Sequence, residues 1–450
     1  MTDDQQAVPG GDLAEIQEIN SRAFPGRMCG YFGLSGPGFI QSAITLGAST
    51  ATSSFYLGWR FGYSMLWVQI LGMLMGVVMF AAVARPTLYR RESILSAMSK
   101  YVHPVVAYAW VGTSIVASMF WCMNQYSTAV PCLEDVGVVS GVIPEAGSSS
   151  VKWGIGAVIL AVSIGLTWSY GSEKNRGVRI YETMLKFAIA FMVLCFAAIA
   201  WKTGIEWSSL GAGLVPNPKS VWDLEGHDLT MVLGALGCSV GINMTFLFPI
   251  TLRARGWGKD HLGLSRFDLV SGMFVPFAII STLVVVAAAN VLSKYPEAPK
   301  DPVAVAKVME TLFEGVTGRV LFDLGVAAMP LSTVTILMLI CGLGVCELMG
   351  RPHKGLPFKI GALLPAVGIL GSVSAQKFWL GPLISSFGLI LLPIAYFGFI
   401  VLHNSRSFLG DDMPTGGKRL AWNVVMGIIL CVTISGAVLK LIDVVPKIFA

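Results

Sequence analysis

The chain has 450 residues, of which 54% are apolar and 13% charged, with a mean hydropathy of +0.71. Soluble domains carry about a quarter charged residues, so this composition excludes a soluble enzyme or scaffold and requires a membrane protein with the lipid bilayer as its first partner. The net charge of +5 is small and sits in loop arginines and lysines, which suits anionic headgroups and excludes a nucleic-acid partner.

Residues 1–30 form a polar N-terminal segment. Met1 to Asp12 is acidic and has no basic, apolar and cleavage regions of a signal peptide, so the first membrane helix is expected to do the targeting. Residues 12–27 carry the spacing of a short amphipathic helix, read as a solvated or interfacial lead-in. Residues 31–450 form one transmembrane domain. Stretches of about 20 apolar residues cross a bilayer, and they fall near 33–58, 62–84, 104–131, 152–170, 178–201, 230–250, 267–292, 320–347, 358–375, 379–402 and 420–442. Eleven spans put the termini on opposite sides. Nineteen of the 31 Lys and Arg residues then face the side of the N-terminus and eleven the other, with Lys186 left inside a helix. That bias places the N-terminus in the cytoplasm and the C-terminus outside, as expected for a bacterial inner-membrane protein. The longer polar loops, 133–150, 203–228 and 294–318, fall on the outer face.

Two spans contain small polar residues where lipid is thickest. The first carries Gly47-Ala48-Ser49-Thr50 and the sixth Gly237-Cys238-Ser239-Val240-Gly241-Ile242-Asn243-Met244. Backbone broken at that depth is tolerated only where it lines a cavity enclosed by protein. Breaks five spans apart are the mark of inverted repeats with a substrate site between them near the midplane. We therefore expect unwinding at 47–50 and 241–243, facing each other across one cavity. Gly58, Gly72 and Gly76 are read instead as helix-packing glycines.

Gly36-Pro37-Gly38-Phe39, followed by Arg60-Phe61-Gly62-Tyr63-Ser64-Met65-Leu66-Trp67-Val68, resembles in order and spacing the first two helices of the Nramp family of divalent-metal transporters. Tyr181-Glu182 is similar to that family's fifth helix, Leu321-Phe322 with Leu331-Ser332-Thr333 to its eighth, and Leu364-Pro365-Ala366 to its ninth. The resemblance implies an all-α LeuT-type fold of 5+5 inverted repeats, about eleven transmembrane helices with helices 1 and 6 broken, and alternating-access transport of a divalent cation. The family's chemical motifs are replaced. Gly47-Ala48-Ser49-Thr50 stands where the family has Asp-Pro-Gly-Asn, and Gly241-Ile242-Asn243-Met244 where it has Met-Pro-His-Asn. Trp121 and Asn124 occupy the positions of the third helix's acidic pair, and Lys359 alone stands for the ninth helix's paired arginines. Neither the usual proton-coupled Mn²⁺/Fe²⁺ site nor its relay is therefore expected.

The candidate substrate residues are Gly47, Ala48, Ser49, Thr50, Ser53, Cys238, Gly241, Asn243 and Met244, with Trp121 and Asn124 on the permeation route. Without a carboxylate they form no dedicated metal cage. A charged group at the bilayer centre costs at least about 2.5–3.5 kcal/mol, so a water-coated cation such as Mg²⁺, held through its shell by Ser49, Thr50, Ser53 and Asn243, is one reading. The alternative is a small neutral or zwitterionic organic solute such as an amino acid, whose carboxylate would use free N–H groups at the breaks. Cys238 and Met244 could offer two soft ligands, a poor site alone.

Other features have plainer readings. The eight cysteines lie mostly in apolar runs with no CxxC pair or Cys/His cluster, as core residues do. Glu182 and Lys186 stand four apart and suit a local ion pair. Ser332, Thr333 and Thr335 beside Pro330 suit a satisfied kink. No histidine falls in the middle of a span, and Asp268, Asp323 and Glu347 lie near span ends, so neither a histidine relay nor enzyme chemistry is indicated. No cofactor is implied. Oligomeric state stays open.

Overall fold

A computed structural model of the chain describes residues 10–90, 92–170, 175–297, 301–312, 315–373 and 380–449, with backbone only for 10–12, 170, 175–182, 312 and 443–449. The expected contact of Glu182, and the positive-inside charges Arg91, Lys174, Arg176, Arg179, Lys300, Lys377 and Lys447, lie outside the described side chains.

Two short helices, α1 (Gly10–Ser21) and α2 (Phe24–Leu34), open the chain. The lead-in is more than a solvated segment, because Ile16 and Ile19 of α1 are buried against Tyr31 and Leu264. The first predicted span is two helices, α3 (Pro37–Thr45) and α4 (Ala48–Phe61). Next come α5 (Leu66–Tyr89), the short α6 (Ile94–Tyr101), α7 (Pro104–Val139), α8 (Ser149–Tyr170) and α9 (Asn175–Thr203). The connecting α10 (Trp207–Gly213) and α11 (Lys219–Trp222) lead to a second divided span, α12 (Gly226–Gly237) and α13 (Ile242–Ala254). Then α14 (Leu262–Asp268), a π-helical turn over Leu269–Phe274 and α15 (Val275–Val291) make one span. After α16 (Pro302–Met309) come the long α17 (Thr317–Leu348) and α18 (Gly355–Leu363), which tightens into 3₁₀ geometry over Leu364–Ser372. The chain ends with α19 (Leu380–Asn404), α20 (Arg406–Leu409) and α21 (Gly416–Phe449).

Among the described residues ten segments are long and apolar enough to cross a membrane. The pair α3/α4 supplies the eleventh predicted span, each half being too short to cross alone. The two divided spans thus stand first and sixth, each opening a set of five.

Some boundaries moved. The third span runs eight residues past its predicted end, through Pro131 to Val139, because the acids that looked like a loop are paired. Asp135 meets Arg319, and Glu134 accepts from Gly147 N at 2.8 Å and faces Lys152 at 3.8 Å. The packing reading of the small residues holds. A Cβ on Gly58 would lie 2.5 Å from Val285 O and one on Gly76 2.0 Å from the Val240 side chain, so Gly58 lets two helices touch backbone to backbone and Gly76 makes room for a side chain.

Candidate substrate site

Both breaks lie at buried depth, shifted from their expected places. In the first, Leu46 and Gly47 leave the helix and Ala48 resumes it; in the second, Cys238 to Gly241 are non-helical and Ile242 resumes. Ala48, Ser49, Thr50, Ile242 and Asn243 are therefore helical, against expectation. The reason is local hydrogen bonding. Thr50 N and Ala51 N both reach Gly47 O at 3.1 Å, and Met244 N reaches Gly241 O at 3.1 Å, so each glycine acts as an N-cap and the unwound residues lie before it.

The two breaks do face one cavity, of about 30 Å³. Of the expected residues, Gly47, Ser49, Trp121, Cys238, Gly241, Asn243 and Met244 line it; Ala48, Thr50, Ser53 and Asn124 do not. Thr50 is turned away, its hydroxyl donating to the Thr45 carbonyl across the break. Asn124 stands one step behind, donating to Ser49 Oγ at 3.2 Å. Ala48 acts through its backbone, as described next.

Seven lining residues were not among the expected ones: Ile44, Gly237 and Leu337, and four with polar side chains. Gln125 was visible as a polar interruption of the third span; its Oε1 accepts from Ala48 N at 2.8 Å. Ser385 accepts from Trp121 Nε1 at 3.2 Å and was signalled only by the Ser385-Ser386 pair in an apolar run. Thr45 closes the end of α3. Thr333 does more than satisfy a kink, because its hydroxyl reaches Met329 O at 3.0 Å and also Ala43 O of α3 at 2.8 Å.

Polarity follows from which backbone groups are used. At the start of α4 the Ala48 N–H is taken by Gln125. At the start of α13, Gly241 N contacts Met244 Sδ at 3.3 Å and Met244 N donates to Asn243 Oδ1 at 2.9 Å. The positive ends of both second half-helices are thus covered by side-chain acceptors. The C-terminal residues of α3 and α12, Ile44, Thr45 and Gly237, line the same cavity, and a helix C-terminus carries about half a negative charge in exposed carbonyls. Three of the N–H groups that an organic carboxylate could use, those of Ala48, Gly241 and Met244, are therefore occupied here. Among the described residues no cluster of three or more His, Cys, Asp or Glu could hold a metal, so any cation bound in the cavity relies on hydroxyl, amide, carbonyl and thioether groups.

The far end of α3 is pinned. Asp268 accepts from Gly36 N at 3.0 Å and Gly38 N at 2.6 Å, and a Cβ on Gly38 would lie 2.1 Å from Asp268 O, a contact open only to glycine. Lys186 Nζ donates to Ser35 O at 2.9 Å and lies over the Phe39 ring at 4.9 Å. The lysine thus anchors α3.

Two divided helices enclosing a buried cavity, each opening a set of five spans, define the LeuT-type fold of membrane transporters. Solved structures agree on the fold. The Eremococcus coleocola manganese transporter, solved with an aromatic bis-isothiourea substituted compound, superposes with a TM-score of 0.70 at 15% identity, covering 92% of this chain and 86% of that one. MhsT, solved with L-phenylalanine, gives a TM-score of 0.60 at 15% identity over 89% and 98% of the two chains. Within that class, residues 38–441 match the family described as natural resistance-associated macrophage protein-like, and the chain belongs to the Nramp family. It is 22% identical over 403 residues to the divalent metal cation transporter MntH of Mycobacterium tuberculosis, covering 86% of this chain and 87% of the relative. It is also 22% identical over 407 residues to MntH of Klebsiella pneumoniae, covering 88% and 92%.

Proposed function

We propose that this protein carries divalent metal cations across the membrane by alternating access between α3/α4 and α12/α13, without the acid and histidine groups its family uses at the site. The observation that carries this reading is the asymmetry of the breaks. Both N-terminal ends are capped by Gln125, Asn243 and Met244, while residues of both carbonyl ends line the cavity. A site with these donors used and the C-terminal residues of two helices in its wall favours a cation over a carboxylate. The family's relatives in two bacteria, both divalent metal cation transporters by name, support the same substrate class.

Size refines the reading. A cavity of about 30 Å³ holds roughly two waters, given about 10–15 Å³ for one. A cation with its whole water shell does not fit at this size, so a hydrated Mg²⁺ requires the half-helices to part. In the closed form the ion is largely stripped and held by Ser49, Asn243, Thr333 and backbone carbonyls, with Met244 nearby. The charge bias of the loops supports a cytoplasmic N-terminus and an external C-terminus in a bacterial inner membrane. Residues 31–450 would then act as one transport unit behind a short cytoplasmic lead-in.

Binding calorimetry on the purified protein, with Mg²⁺, Mn²⁺ and a panel of amino acids, tests the proposal. A saturable heat with a divalent cation, weakened by Asn243→Ala, is expected. Binding of an amino acid with no response to any divalent cation would overturn it.

A further inference from the structure

Away from the cavity, at the end of the bundle that the loop charges assign to the cytoplasm, α5, α14, α19 and α21 bring basic side chains together. Arg85 of α5 donates through Nε to the backbone carbonyl of Asp412 at 3.1 Å and lies over the Tyr89 ring at 5.1 Å. Lys259 sits over the same ring, also at 5.1 Å. Arg266 of α14 lies over the Trp422 ring of α21 at 5.8 Å, close enough to Arg85 for the like charges to repel. His403 of α19 packs on Trp422 with ring centroids 5.6 Å apart, and Arg419, one turn before Trp422, donates to Asn404 Oδ1 at 2.8 Å.

Countercharge is short. Among the described residues the one carboxylate paired with this cluster is Asp412, and it is shared by Lys259 at 2.9 Å and Arg90 at 3.8 Å. Arg85 has only a carbonyl and Arg419 only an amide oxygen, while Arg266 has neither a hydrogen bond nor an acidic neighbour among the described residues. Buried His403 turns Nδ1 to Ala82 O at 3.3 Å and its Nε2 has no partner, so the imidazole supplies no anion. Three guanidiniums without a carboxylate suit an oxyanion from outside the chain, which their planar donor forks bind well. Past Arg419, Leu420, Val424 and Ile428 follow one another at helical spacing along α21 and are exposed, so an apolar stripe leads from the charges into the bilayer.

We propose that Arg85, Arg266 and Arg419 hold the phosphate group of an anionic membrane phospholipid, whose acyl chains lie along Leu420, Val424 and Ile428. Free phosphate offers the guanidiniums the same oxygens but has nothing to place on the apolar stripe, and a basic pocket between helices at the inner face is where anionic headgroups concentrate. The bound lipid has a mechanical consequence. Arg266 stands two residues before Asp268, whose carboxylate accepts from Gly36 N and Gly38 N at the start of α3. A phosphate bridging α5, α14 and α21 therefore steadies the element to which the first half-helix is pinned.

The lipid site does not rest on the cation-transport reading, and its test involves no transported ion. Thermal unfolding of the full-length protein in a non-ionic detergent is followed with phosphatidylglycerol, phosphatidylcholine or inorganic phosphate added at equal concentration. Phosphatidylglycerol should raise Tm by several degrees over phosphatidylcholine, and inorganic phosphate should not. Arg266→Gln removes no hydrogen bond of the folded chain and should lose most of the gain, and the double variant Arg266→Gln, Arg419→Gln all of it. Arg351→Gln removes the same charge from an exposed position at the same end and should keep the gain. Equal Tm with the two lipids, a full gain in the double variant, or an equal loss in Arg351→Gln would overturn the site. The same gain from inorganic phosphate alone would overturn the assignment to a lipid.

Discussion

Gln125 and Ala48 meet through one hydrogen bond of 2.8 Å, from the first free N–H of α4 to a side-chain amide oxygen three helices away in sequence. That bond bears on the sign of charge proposed for the site. It removes one donor that a carboxylate would seek and places the amide side chain in the wall of the cavity. The side chain is itself steadied by its Nε2, which donates to Trp121 O at 3.2 Å.

Gln125→Leu is therefore expected to strand a buried N–H and lower stability by about 1–3 kcal/mol, while weakening divalent-cation binding. Gln125→Glu keeps the acceptor, adds a charge and should tighten it. Thermal unfolding in detergent and calorimetry with Mn²⁺ measure the two effects. Unchanged stability in the leucine variant would show that the bond caps nothing.

Filling the cavity from its own backbone is the sharpest blocking test. A methyl group on Gly241 would lie 2.5 Å from Asn243 Oδ1 and 3.0 Å from the Trp121 ring, and one on Gly47 2.9 Å from Thr333 Oγ1 and 3.0 Å from Gln125 Oε1. Gly241→Ala should abolish cation flux in liposomes with the fold kept, since one added carbon intrudes on about 30 Å³. Thr50 is a poorer choice than its sequence position suggests, because its hydroxyl bonds away from the cavity. Full flux through Gly241→Ala would mean that the cation passes elsewhere.

Packing glycines should divide into two classes. Gly72 is not a harmless position: a Cβ there would meet Ser239 Oγ at 2.9 Å and Leu236 O at 3.0 Å, against the second break. Gly72→Ala should cost about 1–3 kcal/mol by overpacking. Gly427→Ala, with nothing within 4 Å, should be neutral or slightly stabilising through helix propensity. Equal unfolding temperatures for the two variants would contradict the close approach of α5 and α12.

The pin on α3 makes a conformational prediction. Asp268→Asn replaces an acceptor pair by one oxygen and one N–H group facing Gly36 N or Gly38 N, which removes charge-assisted bonds worth about 1.5–3 kcal/mol each. Since these bonds hold α3 to the turn before α15, α3 should swing more freely. A Ser42→Cys reporter, buried in this structure, should react several times faster with a polar thiol reagent in the Asp268→Asn background. No change in labelling would remove Asp268 from any role in holding this end closed.

Composition and periodicity alone established a polytopic α-helical membrane protein, and the order of small polar residues placed its broken spans first and sixth. They did so because lipid satisfies no backbone group, so every span must be apolar and every interruption must be polar and enclosed. Trp121, Ser49, Gly241 and Asn243 were legible for that reason. The sequence could not show that Thr50 and Ser53 stay out of the cavity lining, or that Thr333 and Ser385 enter it, since a shift of one residue turns a helical side chain by about 100°. Nor could it show that Gln125 covers the Ala48 N–H, or that Arg319 is held by Asp135. Each of those facts depends on two groups far apart in the chain meeting within about 3 Å, a distance that only the packing of the helices decides.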